Sequence, residues 1–140
     1  MKKDVLITIK GLQNYEDQDE DSIELVTNGT YYKKDNDYYI VYKESELTGL
    51  GETTTTVKIE PERVTIIRFG DTQSHMIFEE GEKHISYYDT GAGALTIGVS
   101  TRQIRKTVND CHASIMIDYS MEINNSQIGE NAFNISVKEV

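Results

Sequence analysis

The chain has 140 residues, the size of one domain with a single hydrophobic core. Its 24 acidic and 14 basic residues give a formal net charge of −10. A phosphate backbone and an anionic bilayer repel such a charge, so nucleic acid and membrane surfaces are not expected as partners. The single cysteine excludes an internal disulfide, and no run approaches the roughly 18 apolar residues of a membrane span, so we expect a cytoplasmic protein.

Alternation of apolar and polar residues with a period of two starts near the N-terminus and predicts strands with one buried face. The first strand, about residues 4–12, places Val5, Ile7 and Ile9 on one face. Its apolar run is too short for the core of a signal peptide. Residues 16–21, with five carboxylates in six positions, then predict a solvated loop between strands.

Two turn signals compete in the next segment. Asn28-Gly29 is the stronger hairpin signal, but Asp35-Asn36 follows so closely that residues 30–34 would be only a stub between two turns. We therefore predict one turn, at Asp35-Asn36. Gly29 then becomes a bulge or kink inside a long strand, a feature that sheets need where they curl into barrels.

The only proline lies in the clearest hairpin. Residues 51–70 contain two runs rich in Thr, Val and Ile, which favour a pleated strand, and Pro61 breaks them because it cannot donate to a ladder. A strand at about residues 37–45 precedes the hairpin. The residues that alternation places on one face are Tyr38, Ile40 and Tyr42, then Thr53, Thr55, Val57 and Ile59, then Val64, Ile66 and Arg68.

Short strands follow near residues 76–78, 85–88 and 95–99, separated by turns that contain Gly and Asp. In residues 101–110 the spacing of Ile104 and Val108 fits a short helix, but the end of the segment fits a strand and turn, which we favour. The last two strands have the clearest inward faces: Ala113, Ile115, Ile117, Tyr119, Met121 and Ile123, then Phe133, Ile135 and Val137.

About eight to ten such strands with hardly any helix predict an all-β fold, either a sandwich or a closed antiparallel barrel. The run GTYYKKDNDYYIVYKESE, then GETTTTVKIEPERVTIIRFG, MIFEEG and the stretch ending in VSTRQI resemble, in this order, the YwiB-like family of small uncharacterised bacterial proteins. The resemblance covers nearly the whole chain. It implies one calycin-type, lipocalin-like domain over residues 1–140, a single up-and-down β-barrel of the kind that encloses a small apolar ligand elsewhere. It implies no activity and no catalytic residues.

Motifs for metals and cofactors fail in detail. Asp17, Asp19 and Asp21 alternate as in a calcium loop, but Ser22 and Asn28 stand where that loop needs a glycine and a bidentate acid. We expect no metal and no cofactor.

The nucleophilic and imidazole side chains predict no catalytic site either. Cys111 and His112 are adjacent, so in a strand they point to opposite faces, and we expect a buried or turn-end thiol. His75 and His84 could converge with His112 on a metal, but nothing in the sequence sets their spacing, and ordinary histidines are expected.

Arg68 is the unusual inward residue. It shares the face of Val64 and Ile66, and a buried guanidinium needs a carboxylate or several acceptors. It either pairs with an acid such as Glu44 or meets the charged end of a ligand. In the second case the candidate ligand-binding residues are Tyr42, Thr53, Thr55, Arg68, Tyr87 and Tyr119. The only basic cluster, Arg102, Arg105 and Lys106, is expected to balance local acids.

The leading hypothesis is a non-enzymatic cytoplasmic barrel that binds a small, partly apolar ligand, on the analogy of the fold. The alternative is a structural or interaction module that forms a homodimer through tyrosine-rich outer faces around Tyr31, Tyr39 and Tyr88. An enzyme ranks third, because no nucleophile and base are brought together by the pattern.

Overall fold

Ten β-strands make up nearly all of the chain that the computed structural model describes, which is residues 2–14, 21–43, 52–70, 73–89, 93–124 and 126–140. At residues 12–14, 21–23, 87–89, 94, 127 and 128 the description covers the backbone alone. The strands are β1 Lys2–Asn14, β2 Asp21–Lys34, β3 Asp37–Lys43, β4 Thr53–Ile59, β5 Arg63–Gly70, β6 Gln73–Glu79, β7 Lys83–Asp89, β8 Ala94–Val108, β9 His112–Ile123 and β10 Ser126–Glu139.

The strands form a closed antiparallel barrel. Each pairs with its neighbours in chain order, and β1 pairs with β10, which closes the sheet. The all-β, up-and-down barrel predicted from the sequence is therefore confirmed, with its shortest ladder among the described residues between β6 and β7, where two residue pairs are formed. We call the end with the turns at 35–36, 60–62, 80–82 and 109–111 the lower end. The upper end is where β3 and β5 finish and β4 and β6 begin.

Side chains that alternate along each strand fill the interior. The hairpin of β4 and β5 shows this best, because β4 alternates buried and half-buried residues from end to end. The predicted inward faces of β1, β3, β4 and β9 all contribute to the core. Its buried apolar residues are Val5, Ile7, Tyr31, Ile40, Tyr42, Val57, Ile59, Val64, Ile66, Met76, Phe78, Ile97, Val99, Ala113, Ile115, Ile117, Ile135 and Val137.

The turn between β2 and β3 lies at Asp35-Asn36, as predicted, and both residues have positive φ, 54° and 71°. Of the bulge or kink predicted at Gly29, the bulge is wrong, because β2 keeps its register with both β1 and β3 through this residue. The close approach of neighbouring strands explains why this residue is a glycine. A Cβ there would lie 2.5 Å from the carbonyl oxygen of Val41 and would also meet the side chain of Ile7.

Tyr31 lies inside the barrel, so its predicted place on an outer contact face is wrong. The unbroken register through Gly29 keeps it on the inner face, where it is fully buried and stacks on Tyr38 with 5.6 Å between ring centroids. Its hydroxyl donates a hydrogen bond to the carbonyl oxygen of Asn109, 2.6 Å away. Tyr32 of β2 and Tyr39 of β3, which pair across the ladder, form a second stacked tyrosine pair.

Residues 94–108 form one strand, so the strand interpretation of the doubtful segment is confirmed. Its register with β9 shifts between Thr101 and Gln103. A bulge of one residue moves the inward face from the parity of Thr101 to that of Ile104. Ile104 and Val108 both lie beyond the bulge and share the inner face because four positions are two periods of a strand, so their spacing fits a strand as well as a helix.

Candidate functional site

A cavity of about 200 Å³ lies toward the upper end of the barrel. Apolar side chains make up most of its wall, joined by one guanidinium and two phenols. The lining residues are Ile9, Tyr42, Ile66, Arg68, Met76, Phe78, Tyr119, Met121, Phe133 and Ile135. They come from β1, β3, β5, β6, β9 and β10, so the cavity exists only because the sheet closes.

Three aromatic rings form one wall of this cavity. Phe78 packs edge to face against Tyr119 and Phe133, with centroids 5.0 Å and 5.4 Å away, and Tyr119 and Phe133 are 5.9 Å apart. Such edge-to-face contacts are the favoured geometry for aromatic pairs. The wall is therefore rigid and apolar.

A polar row crosses the inner surface beside the aromatic wall. Tyr42 of β3 pairs with Thr55 of β4, Thr55 pairs with Arg68 of β5, and Arg68 pairs with Ser74 of β6. Directly opposed residues on neighbouring strands have Cβ atoms about 5 Å apart. Four consecutive strands thus bring three hydroxyls and one guanidinium side by side. We call these four residues the polar row.

The candidate residues predicted from the sequence fall into three groups. Tyr42, Arg68 and Tyr119 line the cavity. Thr53 and Thr55 are buried on the inner face of β4, with Thr55 in the polar row. The remaining candidate is Tyr87, whose side chain lies outside what is described.

Tyr87 pairs with Thr96 through the backbone of β7, and its side chain is outside the description, as is the whole of Glu44, the acid considered for Arg68. Arg68 makes interactions within the fold, and its Nε is shut off from solvent.

Sequence reasoning missed two hydroxyls near the cavity. The Oγ of Ser74 and the Oγ1 of Thr101 are buried and make no hydrogen bond with the described residues. Thr101 pairs with Tyr119, across the barrel from the polar row. The inward position of Ser74 could have been predicted, because it alternates with Met76 and Phe78. The inward position of Thr101 could not, because the bulge that follows it changes the parity of the strand.

The lower end holds a second cavity, of about 290 Å³, against the turn at Pro61. Lys106 lies in its wall, and its Nζ donates hydrogen bonds to the carbonyl oxygens of Glu60 and Pro61. Burial lowers the pKa of Lys106, because desolvation disfavours the ammonium. Lys106 was expected to balance a local acid: the charge of Glu60 does act on it and raises its pKa in part, but its hydrogen-bond acceptors are the backbone carbonyls of Glu60 and Pro61. Arg102 does pair with an acid, Glu130, at 3.2 Å.

The remaining reactive groups form no site in the described part of the chain. Cys111 is exposed in the turn before β9, so its expected place at a turn is confirmed and its burial is wrong. Asn109 shapes that turn by accepting hydrogen bonds from the backbone N–H groups of Cys111 and His112. Within the described ranges, no three His, Cys, Asp or Glu side chains gather around one point, and no helix has the length and apolar character to cross a membrane.

Comparisons with known proteins agree with the barrel. Residues 7–135 match the family model of a domain of unknown function, DUF1934. The uncharacterized beta-barrel protein YwiB of Bacillus subtilis strain 168 is 30% identical over 138 residues, which cover 98% of this chain and 94% of that protein. The crystal structure of the ywiB protein from Bacillus subtilis aligns with a TM-score of 0.88 at 25% identity and covers 99% of this chain and 93% of that one. The family resemblance seen in the sequence is confirmed, and none of these names states an activity.

Proposed function

This chain belongs to the DUF1934 family of β-barrel proteins, whose name assigns no function, and we propose that its barrel binds a small, partly apolar molecule in the upper cavity. The observation that carries the proposal is the composition of the wall. Seven of its ten lining residues are apolar, and the polar groups of Tyr42, Arg68 and Tyr119 are few and convergent. Small-molecule sites have this character.

The size of the cavity restricts the ligand. Sites for drug-sized molecules measure roughly 300–1,000 Å³, whereas this cavity measures about 200 Å³. The ligand is therefore a compact molecule with a short apolar part, which packs against the wall formed by Phe78, Tyr119 and Phe133. The expected calycin-like character of the fold supports the same function by analogy.

The proposed activity is binding without catalysis. Its support is the chemistry of the described lining, in which no serine or cysteine meets a histidine. We also propose a cytoplasmic location. The exposed thiol of Cys111 is best preserved in a reducing compartment.

Native mass spectrometry of gently purified protein tests the proposal. We expect additional mass on the folded protein that is lost on denaturation, and we expect uptake of added octanoate or octan-1-ol. Met121→Trp should abolish both, because it fills the cavity. The matched control is Met116→Trp, on the outer parity of the same strand, which should retain both. Wild-type protein that carries no additional mass and takes up neither probe would contradict the proposal.

A second candidate, a homodimer, is favoured by the outer faces of β5 and β7. Phe69 is 71% exposed there, and Ile67 and Ile85 are exposed as well. Contiguous exposed apolar patches mark interaction sites, and Ile67 and Phe69 lie two residues apart on the same outer face of β5. Light scattering should then give a dimer mass that Phe69→Lys reduces to a monomer mass, while Val26→Lys on the outer face of β2 leaves it unchanged. A monomer mass for the wild type at high concentration would contradict this candidate.

A further inference from the structure

The polar row points to the chemical class of the molecule in the upper cavity. We propose that the ligand is a small aliphatic carboxylate, with its singly charged head group between the guanidinium of Arg68 and the hydroxyl of Ser74, and its apolar chain against the aromatic wall. This inference rests on the proposed binding function. It adds the identity of the head group and the residues that recognise it.

Ser74 is the first argument. Its side chain is 7% exposed, its Oγ is buried, and that oxygen makes no hydrogen bond with the described residues. A buried hydroxyl without a hydrogen-bond partner is unfavourable because it has lost its hydration. A ligand that accepts a hydrogen bond from it offsets this cost. Ser74 stands directly opposite Arg68 and two residues from Met76, which lines the cavity. An acceptor that reaches Arg68 from the cavity therefore comes within range of Ser74.

The geometry of Arg68 is the second argument. A guanidinium presents five N–H donors in a planar fork, so it can hold a carboxylate side-on and still keep other contacts in the fold. Arg68 has such contacts. A carboxylate offers two oxygens, one for the guanidinium and one for the hydroxyl of Ser74. A neutral head group can accept a hydrogen bond from the guanidinium but forms no ion pair with it, so a carboxylate is held more strongly here.

Charge is the third argument, and it separates a carboxylate from a phosphate. Arg68 is the only cationic side chain among the described lining residues, and the chain as a whole carries a net charge of −10. A head group with one negative charge brings the smallest charge that still forms an ion pair with the guanidinium. A doubly charged phosphate would bring a second charge into an apolar cavity, and an uncompensated buried charge is strongly unfavourable.

Isothermal titration calorimetry of the full chain with three probes of the same chain length tests the assignment. We expect octanoate to bind at least about tenfold more tightly than octan-1-ol, which forms no ion pair with Arg68, and than octyl phosphate, which brings a second charge into the cavity. Arg68→Met should remove this preference and leave the binding of octan-1-ol unchanged. Ser74→Ala should lower the affinity for octanoate about threefold or more. The matched control is Arg63→Met, at the opposite end of the same strand, which should bind all three probes as the wild type does.

The outcomes separate the two proposals. Equal binding of octanoate and octan-1-ol by the wild type overturns the carboxylate assignment and leaves the proposed binding function standing. If octyl phosphate binds more tightly than octanoate, the assignment of a singly charged head group is overturned. Failure of all three probes to bind overturns the assignment, and together with the absence of additional mass in native mass spectrometry it overturns the binding function itself. Because the comparison of probes uses the wild type, the test does not depend on how well Arg68→Met folds, and Ser74→Ala supplies a second, milder variant.

Discussion

Lys106 donates a hydrogen bond from its Nζ to the carbonyl oxygen of Pro61, 2.8 Å away across 45 positions of the chain. The same ammonium donates to the carbonyl oxygen of Glu60. It therefore ties β8 to the turn between β4 and β5 and occupies the lower end of the barrel. The two ends of the molecule thus use their inward cations differently: Lys106 holds a backbone turn, whereas Arg68 lines the upper cavity.

Replacement of Lys106 should weaken the lower end of the barrel. Lys106→Met keeps a side chain of similar length but loses both hydrogen bonds to the turn. Relief of the desolvation cost offsets part of this loss, so we expect the free energy of unfolding to fall by about 1–2 kcal/mol. Urea unfolding, followed by circular dichroism, measures this change in the free energy of unfolding. Arg105→Met, at the exposed neighbouring position, is the control. A Lys106→Met variant at least as stable as the wild type would show that desolvation outweighs the hydrogen bonds.

Glu60 should make part of the stability depend on pH. Burial alone would raise the pKa of Glu60, but hydrogen bonds from Arg63, at 2.6 Å, and Lys58, at 3.4 Å, outweigh it and lower the pKa. A lowered folded pKa contributes stability above the unfolded value of about 4.3, and this contribution is lost as the pH falls through the folded pKa. We therefore expect Glu60→Gln to be less stable than the wild type at pH 7.

The difference between Glu60→Gln and the wild type should shrink below about pH 5 and vanish once Glu60 is protonated in the folded protein. Urea midpoints measured at a series of pH values follow this difference. Glu62→Gln, at an exposed position in the same turn, is the control and should track the wild type. A difference that persists unchanged at acid pH would mean that Glu60 acts by packing and not by charge.

Gly29 should tolerate no side chain. In Gly29→Ala the new Cβ would meet the backbone carbonyl of Val41, which cannot move without breaking the ladder between β2 and β3. We expect a loss of about 1–3 kcal/mol in the free energy of unfolding. Gly11→Ala in β1 is the matched control, because its Cβ would meet no described atom within 4 Å, and it should be neutral or slightly stabilising. Equal stabilities of the two variants, measured by thermal unfolding, would refute the close approach at Gly29.

Much of the fold could be predicted because its determinants are local. Alternation with a period of two identified most of the strands and their inward faces, including the inward direction of Arg68. The turn at Asp35-Asn36 was predictable because these residue types tolerate positive φ. From the residues alone, sandwich and barrel remained equal, since alternation is the same in both.

The candidate site was predictable only in part. The sequence by itself determined that Tyr42, Thr55 and Arg68 face inward, because each lies in a run whose parity is set by its own neighbours. Tyr31 was predicted on an outer face, but the ladder is continuous through Gly29 and the side chain of Tyr31 is buried inside the barrel. A shift of one residue exchanges the two faces of a strand, so errors of this kind are inherent in local patterns.

Only the tertiary structure decided which inward residues stand side by side. The pairing of Arg68 with Ser74 depends on the register between β5 and β6, and the inward position of Lys106 depends on the bulge after Thr101. Register and closure are set by packing between strands that are distant in the sequence, so no local preference encodes them. For the same reason, the cavity that Arg68 lines has no counterpart in any single segment of the chain.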